Sequence, residues 1–129
     1  SVAMRIFAYG LLLEDSASVR SDLQEYLVRE FPGCEAEVLP NGEDDVYDTL
    51  LLLCSSSEEA SIELLEACFD AYDDITLYEL LRHRPLGPGQ SVREGYVDMR
   101  KIVSRMRFDE DLDEELGEAG GLDEELDEY

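Results

Sequence analysis

Met4-Arg5-Ile6-Phe7-Ala8-Tyr9-Gly10-Leu11-Leu12-Leu13 is the stretch on which the fold turns. Its β-branched and aromatic residues, closed by Glu14-Asp15, read as a core strand. Ile6, Ala8 and Gly10 point one way and Phe7, Tyr9 and Leu11 the other, so both faces of the strand are apolar. A sheet built around it needs cover on both sides.

The flanking sequence supplies that sheet. Asp15 or Ser16 caps a segment in which Val19, Leu23, Leu27 and Phe31 recur every four residues, and Pro32-Gly33 stops the helix. Cys34 to Leu39 alternates with Glu35 and Glu37 as a half-exposed strand. Pro40-Asn41-Gly42 turns the chain into a longer strand over Val46 to Cys54, and the two read as a hairpin. Ser56 and Glu59 have the spacing of a capping box, ahead of a helix with Ile62, Leu65, Phe69 and Tyr72 on one face. Asp73-Asp74 ends it, and Ile75 to Leu81 is a fourth strand with Ile75 and Leu77 opposed to Tyr78 and Leu80. The order β-α-β-β-α-β predicts an α+β fold, the split βαβ or ferredoxin-like sandwich with both helices on one face. Its other face is left for a homodimer or for the following segment to cover.

That segment opens with the helix breakers of Arg84-Pro85-Leu86-Gly87-Pro88-Gly89. Val92, Tyr96, Met99, Ile102, Val103 and Met106 then fall at helical spacing, which predicts an amphipathic third helix over 92–107. The reading divides the chain into a core over 4–81, a basic loop and helix over 82–107, and an acidic tail over 108–129. The tail repeats Leu-Asp-Glu-Glu-Leu at 112–116 and 122–126. Two copies make no solenoid, and the charge density predicts a self-repelling flexible tail or short acidic motifs that dock through their leucines.

Composition bounds the function. The 129 residues hold 33 acidic and ten basic side chains, a formal charge of −23. Residues 1–81 carry nineteen acids and three bases, 82–107 two acids and seven bases, and 108–129 twelve acids and no base. Such a surface opposes nucleic acid and anionic membrane and favours a basic protein partner. No apolar run is long enough to span a bilayer, and no signal peptide opens the chain; Met4 reads as the native start behind a cloning remnant, and the cytoplasm is the expected location. Cys34, Cys54 and Cys68 lack CxxC spacing and read as buried thiols. No cofactor or metal is implied: Asp44, Asp45 and Asp48 lack the glycine and distal glutamate of a calcium loop.

The expectation is a non-enzymatic acidic binding module, an adaptor, inhibitor or immunity-type protein, in one version a nucleic-acid mimic. Partner contacts are expected at Glu58, Glu59, Glu63, Glu66 and Asp70 on the exposed side of the second helix, and at Leu112, Glu114, Leu116, Leu122, Glu124 and Leu126 in the tail. Arg82, His83, Arg84, Arg93, Arg100 and Lys101 are the candidate anion contacts. Their basic block, with Phe7, Tyr9 and Tyr78 on an open sheet, is the one foothold for nucleic acid. Two other readings stay open. One is a structural subunit from a salt-loving or GC-rich host, self-associating through the sheet; the other is a small enzyme using a pocket at His83, read as a solvated loop residue, and Arg84.

Overall fold

The computed structural model describes residues 3–14, 16–41 and 46–116. Four strands and three helices follow in the order β1 (Arg5–Leu13), α1 (Ser16–Glu30), β2 (Glu37–Pro40), β3 (Thr49–Ser55), α2 (Glu58–Ala71), β4 (Ile75–Pro85) and α3 (Val92–Leu116), with a short 3₁₀ turn at Pro32–Cys34. The strands form one sheet in the order β2-β3-β1-β4, every neighbouring pair antiparallel. This is an α+β architecture.

The apolar runs fall where the sheet is buried on both sides. β1 and β3 are its central strands, and from Ile6 to Leu11 and throughout β3 every residue is buried. On one face Phe7, Tyr9, Leu11, Leu51 and Leu53 pack against Val19, Leu23 and Leu27 of α1 and Leu65 and Cys68 of α2. On the other, Ile6, Ala8, Leu50, Leu52 and Cys54 pack against Tyr96, Met99 and Val103 of α3. The cover that the two-faced β1 demands thus comes from the same chain. Of the two covers expected for that face, the following segment is the one in place over β1 and β3.

Two glycines let the layers close. A Cβ on Gly95 would lie 2.7 Å from Leu86 Cδ1 and 3.1 Å from Ile6 Cγ1, so its absence lets α3 approach β1. A Cβ on Gly10 would lie 2.8 Å from Tyr47 Cγ; the tyrosine lies across the strand and donates from its hydroxyl to Glu79 Oε1 at 2.8 Å. Buried hydroxyls are partnered as well. Tyr9 donates to Ser61 Oγ (2.7 Å) while Ser61 donates to Glu58 O (2.7 Å), and Tyr96 donates to Cys34 O (2.9 Å).

Several boundaries differ from the sequence reading. Pro32–Cys34 forms a 3₁₀ turn followed by Glu35 at φ 55°, so β2 begins at Glu37 rather than at Cys34. β3 begins at Thr49 rather than at Val46. α2 is capped by Ser57, whose Oγ accepts from Ala60 N (3.1 Å); because β3 runs on to Ser55 the helix starts one residue late and the Ser56–Glu59 box does not form. A capping box does open α3: Ser91 Oγ accepts from Glu94 N (3.1 Å), and Ser91 N donates to Glu94 Oε1 (2.9 Å). β4 runs to Pro85 because β1 reaches back to Arg5 and gives Arg82–Pro85 a backbone partner. α3 continues past 107 to Leu116 and takes in the first acidic repeat. The proposed helix cap Asp15, the turn residue Gly42 and the acids Asp44 and Asp45 lie outside the described residues.

Candidate functional site

α2 reads Glu58-Glu59-Ala60-Ser61-Ile62-Glu63-Leu64-Leu65-Glu66-Ala67-Cys68-Phe69-Asp70-Ala71, and its period sorts it cleanly. Ser61, Leu65 and Cys68 are buried against the sheet, while Glu58, Glu59, Glu63, Glu66 and Asp70 are all exposed. Glu58 and Glu59 sit in the first turn, where the helix dipole favours negative charge. The other acids have no such support. Glu59 and Glu63 are four apart, Glu63 and Glu66 three, Glu66 and Asp70 four, so each is the lateral neighbour of the next on one stripe. α2 contains no Lys or Arg, and among the described residues the ion pairs are Arg29–Glu30 (3.3 Å) and Arg93–Glu37 (3.1 Å), neither on α2. Four of the five expected contact residues, Glu59, Glu63, Glu66 and Asp70, therefore form one stripe with no ion pair among the described residues, and Glu58 lies off that stripe in the first turn. Of the expected tail contacts, Leu112, Glu114 and Leu116 fall on the end of α3, and Leu122, Glu124 and Leu126 lie outside the described residues.

The candidate anion contacts do not form one site. Arg82, His83 and Arg84 lie on β4 and line a groove of about 780 Å³ with Arg5, Leu81, Pro85 and Ile102. Arg93 and Arg100 lie on α3 and line a second groove of about 580 Å³ near Pro32 and Glu35, with Arg93 paired to Glu37. Lys101 is exposed beside Arg100 and Arg105 in a shallow hollow on α3. Even within the first groove the cations are divided. Arg82 and Arg84 pair with Ala8 and Ile6 on the α3 side of the sheet, whereas His83 pairs with Phe7 on the other.

His83 is an exposed residue of strand β4 and not a loop histidine. Its ring stacks on Phe7 (centroids 5.6 Å apart, 26° between planes), and its Nδ1 accepts from Arg5 Nη2 at 2.8 Å. That bond takes Nδ1 out of use as a base. Arg5 is the residue that the sequence reading missed. It is 78 positions away in the chain, and only the β1–β4 register brings it to His83.

Among the described residues the cysteines and the buried tyrosines are shifted away from ionisation. The three thiols are buried and free. Burial pushes Cys68 from the ordinary 9.0 up to about 12, and raises Cys34 and Cys54 as well, so the protonated thiol is the form present at neutral pH. Burial likewise raises Tyr9 and Tyr96. Asp48 is occupied structurally: its Oδ1 accepts from Leu13 N (3.2 Å) and Thr49 Oγ1 (2.9 Å). Phe7 and Tyr9 are completely covered by α1 and α2, so they form no stacking platform for bases.

Comparison with protein-family models, with curated proteins and with solved structures finds no match to this chain. No helix among the described residues is long and apolar enough to cross a membrane. The surface of α2 therefore has to be interpreted from its own chemistry.

Proposed function

We propose that this chain is a protein-binding module, of the adaptor, inhibitor or immunity type, that presents the acidic face of α2 to a basic partner. One observation carries the proposal: Glu59, Glu63, Glu66 and Asp70 are consecutive like-charge neighbours on an exposed stripe that makes no ion pair among the described residues. Like charges at these spacings weaken a helix by about 0.2–0.5 kcal/mol per pair, so folding alone gives no reason to keep Glu63, Glu66 and Asp70, which lie beyond the first turn. α1 shows the opposite choice, with Glu25 four residues ahead of Arg29, a stabilising arrangement. A rigid row of carboxylates on a packed helix accelerates capture of a positively charged partner and makes the affinity fall with salt. The sheet order β2-β3-β1-β4, antiparallel throughout, with α1 and α2 sharing one core, supports reading the scaffold as a ferredoxin-like sandwich to which α3 adds a third layer.

The test is a titration of the full chain with an arginine-rich peptide of about eight residues, followed by amide chemical shifts at low and high salt. Shifts concentrated on 58–70 that fade as salt rises are the expected outcome. Shifts that leave α2 still and gather on other elements would refute the reading.

A further inference from the structure

β4 is an edge strand of eleven residues. One side of its backbone pairs with β1 from Arg5 to Leu13; the other side meets no strand of the described chain. The opposite edge is different. β2 has four residues and ends on Pro40, which has no N–H to offer a neighbour. β4 is nearly three times as long and has its one proline at its last residue, Pro85, and it carries two exposed large apolar side chains, Leu77 at 46% and Tyr78 at 50% exposure.

Charge is also sorted along this strand. Glu79 lies in its first half, while Arg82 and Arg84 lie in its second half. A parallel neighbour of the same sequence would meet like charge with like. An antiparallel one can set the Glu79 of each copy opposite an arginine of the other.

We propose that β4 pairs antiparallel with β4 of a second copy of this chain, joining two four-stranded sheets into one across a two-fold axis. The bulge in β4 selects the register. Arg82 and Arg84 stand opposite Ala8 and Ile6, and Glu79 and Leu77 opposite Gly10 and Leu12, so these four share the α3 side of the sheet. His83 and Tyr78 stand opposite Phe7 and Leu11 and share the other side. The register shift between Ala8 and Tyr9 leaves Leu81 as the extra residue that makes this so. Setting Glu79 opposite the second copy's Arg82 puts the two members of each pair flanking the bulge on a common side of the sheet. Tyr78 then faces His83 and Leu77 faces Arg84, each pair occurring twice. Leu80 and Leu81 meet at the axis, so the bulges of the two strands coincide and do not clash with regular strand. The pairing covers Leu77 and Tyr78 and gives the outer amides and carbonyls of β4 their partners. It uses a surface other than the acidic stripe of α2 and goes beyond the binding role proposed above.

The experiment is sedimentation of the full chain from about 5 µM to about 1 mM, a range over which a weak dimer forms or fails by mass action. It is run beside the variants Glu79→Arg, Arg82→Glu and the double exchange, with far-UV circular dichroism to confirm folding. The mass of two chains for the wild type, of one chain for each single variant, and of two chains again for the double exchange is the expected pattern. A wild type that keeps the mass of one chain throughout overturns the proposal, as does a folded double variant that stays single while the wild type pairs. Should a single variant not fold, hydrogen exchange of the wild type decides. Amides over 76–84 are expected to lose protection as dilution removes the two-chain species; a two-chain species whose dissociation leaves those amides unchanged places the interface elsewhere and overturns the proposal.

Discussion

α2 and α3 lie on opposite faces of one sheet and use their charges differently. α3 turns polar groups toward its own chain: Arg93 pairs with Glu37, Gln90 Nε2 donates to Asp98 Oδ2 at 2.7 Å, and the capping box of Ser91 and Glu94 closes its first turn. α2 turns five carboxylates outward and answers none of them with a cation of the described chain. Both helices bury an apolar stripe of comparable kind, so the difference is not one of packing. It separates a helix that completes the domain from one whose outer surface is available to something else.

The first way to break that comparison is to unseat α3. Tyr96 is buried in its second turn and ties the helix to Cys34 O. Tyr96→Ala is expected to cost about 3–5 kcal/mol through the cavity and the orphaned carbonyl, read from denaturant midpoints. A cost below about 1 kcal/mol, on the surface-substitution scale, would mean that α3 is an ornament on the domain. The inner face of α2 has an alkaline signature. Cys68 is held protonated in the folded chain up to about pH 12, whereas an exposed thiol ionises near 9.0. The folded state therefore keeps the proton that the unfolded state gives up. Stability from this group is intact below pH 9 and is lost as pH climbs towards 12, at about 1 kcal/mol per pH unit. Cys68→Ala is expected to flatten that slope in a series of denaturation curves. At the start of the same helix, Ser57→Ala removes the acceptor for Ala60 N and is expected to cost about 1 kcal/mol. Ser56→Ala, one residue earlier, should leave the midpoint almost unmoved.

The sequence made the local periods readable and concealed the distant pairings. The double-faced apolar pattern of β1 announced a sheet needing two covers, and the stripe of Tyr96, Met99 and Val103 marked the helix that supplies the second. The outward acids of α2 followed from the same 3.6-residue arithmetic. Other features were set by partners far along the chain. β4 was read as ending at Leu81 because Arg82-His83-Arg84-Pro85 looks like loop; β1 extends it by pairing Arg5 with Pro85. The basic residues looked like a single block in sequence and are divided between β4 and α3, and on β4 between two sides of the sheet. Arg5 next to His83 is a product of register that no local pattern records.

The central claim is that the acidic stripe of α2 is kept at some expense to the fold. The direct measurement is the unfolding free energy of the chain carrying Glu63→Gln, Glu66→Gln and Asp70→Asn, which breaks all three pairs and leaves the first-turn Glu59 in place, compared with the wild type at about 0.02 M and about 1 M KCl. Removing three like-charge pairs is expected to stabilise the variant by about 1 kcal/mol at low salt, with the gain vanishing at high salt. A variant no more stable than the wild type at low salt would show that the carboxylates cost the fold nothing, and the claim would fall.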